Sequence, residues 1–198
     1  MKLVQQGIRF SQEEIKHLGY AIFGIAIVFT IAFSRSGSAL SLPQIFVMSL
    51  IAVGTGFLFH EMAHKFVAQN YGCAAEFRSA PGMLLIAMLI AFTGFVFIAP
   101  GAVLIHGTVT RRRNGLISAA GPLMNILLSA VFLVLAVLIQ APFLGQVFAF
   151  GSRINAWLAV FNMIPFGNFD GAKVLHWDKK VYAGLVILAF VAFLVTTI

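Results

Sequence analysis

The sequence predicts an all-α polytopic membrane protein with five to six transmembrane helices. A short strand-like or re-entrant insertion is expected between the helix carrying His60 to His64 and the helix carrying Gly121 to Asn125. Three observations predict this class. Of 198 residues, 61% are hydrophobic and only 10% are charged, against about 25% charged in an ordinary soluble domain. The apolar residues fall into long runs broken by proline and glycine. The basic residues behind the net charge of +7 collect in the gaps between those runs, which is the pattern of membrane topology and not of a nucleic-acid-binding face.

The elements follow in order. The first sixteen residues carry Lys2, Arg9 and Lys16 but also Glu13 and Glu14. The apolar run after them, 18–34, is long for a signal sequence and reads as a retained first span, although Ser36-Gly37-Ser38-Ala39 resembles a cleavage site. Pro43 opens a second run reaching about Asn70. Residues 75–79 alternate weakly, as a short strand does. Residues 83–98 are apolar again and stop before Pro100-Gly101, and 102–110 is rich in β-branched residues and looks strand-like. Spans are expected at 115–139, 147–164 (ending at Pro165) and 181–197. Residues 1–198 leave no room for an appended soluble domain. The single cysteine, Cys73, excludes a disulfide framework and a cysteine-rich zinc site.

Positive charge arbitrates the doubtful segment. If 83–98 dips in and returns, Lys65, Arg78, Arg111 to Arg113, Lys173, Lys179 and Lys180 share the cytoplasmic side with the N-terminal tail. Arg35 and the uncharged connection 140–146 then face out, as the positive-inside tendency prefers. A full sixth crossing would put the triple arginine opposite Arg78 and stays open as the alternative. The simple N-terminus favours a prokaryotic cell membrane, with the site nearer the cytoplasmic side.

The chemistry centres on His60-Glu61-Met62-Ala63-His64. A charged residue deep in a bilayer costs about 2.5–3.5 kcal/mol on insertion scales, so Glu61 needs a reason to be there. On a helix, positions 60 and 64 share a face about 6 Å apart along the axis, and both imidazoles can reach one zinc ion. Glu61, about 100° round from His60, lies beside the metal without ligating it. Zinc makes hydroxide available at neutral pH, with a neighbouring carboxylate to take the proton. Two histidines leave the set incomplete: a third ligand must come from elsewhere and a fourth position must stay open. Asp178, among Trp177, Lys179 and Lys180, reads as an interfacial ion pair. Asp170 sits where Pro165, Gly167 and Gly171 break a span, and irregular backbone at membrane depth is tolerated only where protein or a cavity covers it. His106 and His176 read as interfacial residues.

His60 to His64 within a span, Gly121-Pro122-Leu123-Met124-Asn125, and Asn162 to Gly171 with Pro165 and Asp170 in place resemble, in that order, the motifs of the site-2 protease family of intramembrane zinc metalloproteases. The resemblance covers roughly residues 45–180. It implies that His60, His64 and Asp170 hold one zinc ion, that Glu61 is the general base, that Asn162 steadies the oxyanion and that Asn125 positions substrate. It further implies cleavage of peptide bonds within or near transmembrane segments of other proteins. From the residues alone, the lesser reading is that Asn162 caps or bridges helices and that Asn125 bridges them. Many family members carry a PDZ or CBS domain that this sequence lacks, which leaves substrate selection open to an accessory regulator.

Other functions fit less well. A metal transporter needs a path of intramembrane carboxylates or histidines, and none is found beyond Asp170. A catalytically dead membrane chaperone would not need Glu61. A peptidase of the prenyl-protein-processing type takes its third ligand from a later glutamate, and no glutamate follows Glu76. A transmembrane substrate must unwind locally before cleavage, and the strand-like pieces at 74–80 and 102–110 are expected to offer it an edge.

Overall fold

The computed structural model describes residues 9–35, 37, 39–96 and 100–197. The start of the basic N-terminal tail, Ser36 and Ser38 of the cleavage-like stretch, and the end of the 83–98 segment lie outside the described residues. Helix α1 spans Gln12–Ser34 and starts earlier than the apolar run. Ser11 caps it by accepting the Glu14 N–H at 3.0 Å, and Glu13 and Glu14 lie in its first turn, where negative charge complements the helix dipole. Helix α2, Leu42–Ser49, passes through a π-helical turn at Leu50–Gly54 into α3, Thr55–Asn70. The three form one apolar run of 29 residues.

Strands β1, Ala74–Ser79, and β2, Gly101–His106, pair antiparallel from Ala74↔His106 to Ser79↔Gly101. Between them lies α4, Pro81–Ala91, of 11 residues. At 1.5 Å per residue it spans about 16 Å, half the roughly 30 Å hydrocarbon core. The Ala80 N–H donates to the Pro100 carbonyl at 2.7 Å, so the chain leaves and rejoins one end of the hairpin. The segment goes out and returns; it is not a sixth crossing. β2 is shorter than the expected 102–110 because Thr110 already caps α5, accepting the Arg113 N–H at 3.3 Å. The triple arginine is accordingly the first turn of α5, with Arg113 anchored on the Thr108 carbonyl at 3.3 Å and over the Tyr71 ring.

Helix α5, Arg111–Leu138, is followed by α6, Pro142–Asn162, α7, Asp170–Trp177, and α8, Lys179–Thr197. Among the described residues four helices are long and apolar enough to cross a membrane: α1, the α2–α3 run, α5 and α8. The expected five to six is thereby corrected. Helix α6 has 21 residues, but Gln146, Arg153 and Asn155 dilute its apolar sequence. The burial pattern marks a membrane protein. Leu123, Leu127, Val131 and Val134 of α5 and Leu188, Phe190, Val191 and Leu194 of α8 are exposed, while Asn125, Ser129, Ser152 and Asn155 are buried. Apolar outside and hydrogen-bonded polar inside suits lipid and not water.

The start of α1 covers β1. Glu14 accepts the Phe77 N–H at 3.0 Å, and His17 meets the Ser79 hydroxyl at 2.6 Å and its N–H at 3.3 Å. The Ser11 hydroxyl donates to Glu76, and together with Arg78 at 3.0 Å it holds that carboxyl below its ordinary range. Because Phe77 turns its N–H away from β2, its partner Val103 turns its own away from β1, as antiparallel alternation requires. Among the described residues no third strand joins β2. That edge is open.

Candidate metal centre

His60, Glu61 and His64 lie on the inner face of α3, all buried. Asp170 opens α7 and is buried with them. The two Nε2 atoms are 3.0 Å apart, and Asp170 Oδ2 stands 3.3 Å from that of His60 and 3.1 Å from that of His64. The other ring nitrogens are already engaged. His60 Nδ1 meets the Asn125 side-chain oxygen at 2.5 Å, and His64 Nδ1 meets the Ile117 carbonyl at 2.7 Å. Both partners are acceptors, so each ring carries its proton on Nδ1 and turns the Nε2 lone pair inward.

Three electron pairs converging on one point repel unless a cation lies between them. With bonds of 2.0–2.1 Å, donors around a tetrahedral zinc stand about 3.3 Å apart. The separations found here suit that ion, and the residues fit the group. Lys173 Nζ lies 3.6 Å from Asp170 Oδ1, which leaves Oδ2 to the histidines. Glu61 is not among the converging donors. Its carboxylate lies beside them, with the Val103 N–H of β2 turned towards it.

A cavity of about 620 Å³ opens onto this cluster, walled by Val103 and Ile105 of β2 on one side and by Trp157, Phe161 and Phe169 on another. Asn162 also lines the cavity, but its amide N–H donates to the Leu158 carbonyl of its own helix at 3.0 Å. Asn125 is fully buried behind His60, its amide nitrogen donating to the Gly56 carbonyl at 3.2 Å and to Asn155 at 2.9 Å. It touches a ligand ring and also lines the cavity. Asn155 and Lys173 were not singled out from sequence. Asn155 had one signal: an uncharged polar residue in an apolar helix, two turns before Asn162 and on the same face.

Gly121 explains the glycine of the 121–125 motif. A Cβ there would press on His64 Nε2 and on both rings' Cε1 atoms, and the rings cannot retreat because both are held at Nδ1. Gly121→Ala is therefore expected to weaken zinc binding by at least about tenfold, the scale of lost metal-site support, with helix content unchanged. Chelator competition with circular dichroism checks this.

No family model and no solved structure matches the chain. It is 41% identical over 195 residues to the "Putative zinc metalloprotease MJ0611" of Methanocaldococcus jannaschii, which covers 94% of this chain and 96% of that protein. The chain belongs to the family of this archaeal protein. A second relative is the "Putative zinc metalloprotease YwhC" of Bacillus subtilis, 29% identical over 158 residues, 69% of this chain and 70% of that one. The names of both relatives and the cluster of His60, His64 and Asp170 agree on zinc.

Proposed function

We propose that this chain is an intramembrane zinc endopeptidase of the site-2 protease type, hydrolysing peptide bonds within or near transmembrane segments of other proteins. The observation that carries this reading is the convergence of His60, His64 and Asp170 beside Glu61, in a cavity between apolar helices and an unpaired strand edge. The chain would be a multi-pass protein of a prokaryotic cell membrane. Arg78 of the hairpin, Arg111 to Arg113 at the start of α5, Lys173 of α7 and Lys179 and Lys180 at the start of α8 make up seven of the thirteen basic residues, which supports a site nearer the cytoplasmic side.

One zinc ion held by His60, His64 and Asp170 would polarise the scissile carbonyl and acidify a water molecule. Glu61 takes the proton of the attacking water and delivers it to the leaving nitrogen. Asn162, once its amide leaves the Leu158 carbonyl, is the side chain on the cavity wall suited to steady the oxyanion. Asn125 orients His60. A locally unwound substrate adds as a strand to the open edge of β2 beside Glu61.

The test is made on purified protein in liposomes with a reporter fused to a transmembrane helix. The expected result is about one zinc per chain, cleavage abolished by 1,10-phenanthroline and restored by zinc. Cleavage indifferent to the chelator would remove the metal from the reaction. Zinc uptake into the liposomes without cleavage would favour a transporter.

A further inference from the structure

We propose that Asn155 is a positioning residue of the metal centre, setting the ring of His60 for metal through Asn125. This deepens the proposed function and rests on its ligand assignment.

Asn155 lies on α6 and is fully buried. Its amide nitrogen donates to the Gly151 carbonyl at 2.8 Å and to the Ala52 carbonyl of the π-helical turn at 3.3 Å. With both protons placed, its oxygen can only accept, and it accepts the Asn125 amide at 2.9 Å. Asn125 is thereby given a direction. Its nitrogen faces Asn155 and Gly56, and its oxygen faces His60 Nδ1. An asparagine amide is nearly symmetric in shape, so sterics alone do not choose between its two orientations. Reversed, Asn125 would offer N–H groups to His60 Nδ1 and drive the ring proton to Nε2, where it blocks the metal.

The backbone makes room for this chain. A side chain at Gly56 would collide with the Asn155 amide, and in the π-helical turn just before it the Ala52 carbonyl, which also accepts the Thr55 N–H, receives the Asn155 amide as a further donor. Such turns recur at functional sites because the misaligned backbone groups need other partners. Four elements thus converge on one ring nitrogen: the π turn, α3, α5 and α6.

The experiment reads the tautomer directly. In the metal-free full chain, ¹⁵N-histidine NMR should show His60 protonated on Nδ1 in wild type and an Nδ1/Nε2 mixture in Asn155→Leu, which keeps the branched shape and removes the polarity. Chelator competition should show zinc binding about tenfold weaker in Asn155→Leu, with no further loss when Asn125→Ala is added. Asn155→Asp, isosteric and with the acceptor in place, should keep the wild-type tautomer. If the leucine variant does not fold, Asn155→Ser ends short of Asn125 and carries the same comparison. An unchanged His60 tautomer in the folded loss variant, or zinc losses that add with Asn125→Ala, would overturn the inference. Wild-type protein that binds no zinc while its tautomer responds to Asn155 would instead overturn the ligand assignment.

Discussion

Glu61→Gln is expected to lower kcat for cleavage of a transmembrane substrate by about 10²–10⁴-fold, the range for a positioned general base, while zinc content stays at about one per chain. The substitution keeps the volume and one acceptor oxygen facing Val103, and removes only the capacity to take a proton. Glu61 lies outside the set of converging donors, so metal affinity should hold. The cavity wall and the β2 edge are untouched, so KM should hold too. Zinc analysis, with kcat and KM determined separately, checks all three points. Wild-type turnover would remove Glu61 as the base. Zinc lost together with activity would place it in the ligand set instead.

Legibility in the sequence followed the range of the interaction. The spacing of His60 and His64 is a local fact of one helix turn and reads directly as a shared face. The placement of Asp170 was legible because Pro165 and the flanking glycines mark where a helix must break, although α7 beginning at Asp170 was not foreseen. The two strands were visible as period-2 and β-branched stretches. What joined them was not: residues 83–98 look long enough to cross, and it is the pairing of Ser79 with Gly101 and the Ala80 to Pro100 bond that show the chain coming back. Helix α6 read as an ordinary span because hydropathy averages over faces, whereas its asparagine and serine point inward. The partners of Asn125 were out of reach for the same reason. A hydrogen bond between residues 125 and 155 leaves no periodic trace, so the contact of Asn125 with a ligand ring was not legible beside the substrate role expected of it.

Glu14→Ala is expected to destabilise the fold by about 3–5 kcal/mol, as breaking a buried ion pair from one side does. Glu14 and Lys65 are paired with neither side chain exposed, and nothing in the sequence linked residues 51 positions apart. Glu14 also accepts the Phe77 N–H, and Lys65 Nζ lies 4.2 Å from the centre of the Phe10 ring. Alanine would take its paired carboxylate from the buried Lys65 ammonium and its acceptor from the Phe77 N–H. Both losses fall where α1 clamps β1 to the turn of α3 that follows His64, so the hairpin edge over Glu61 should loosen together with the fold. Replacing both partners, Glu14→Leu with Lys65→Met, removes the two desolvated charges at once and is expected to recover the part of the loss due to the unpaired charge, leaving a deficit of about 1–3 kcal/mol from the Phe77 N–H that has lost its acceptor. Denaturant titration of the single and double variants in detergent measures this. A single-variant loss below about 1 kcal/mol, the range of exposed pairs, would mean that water reaches the pair and that the clamp rests on the apolar contacts of α1 instead.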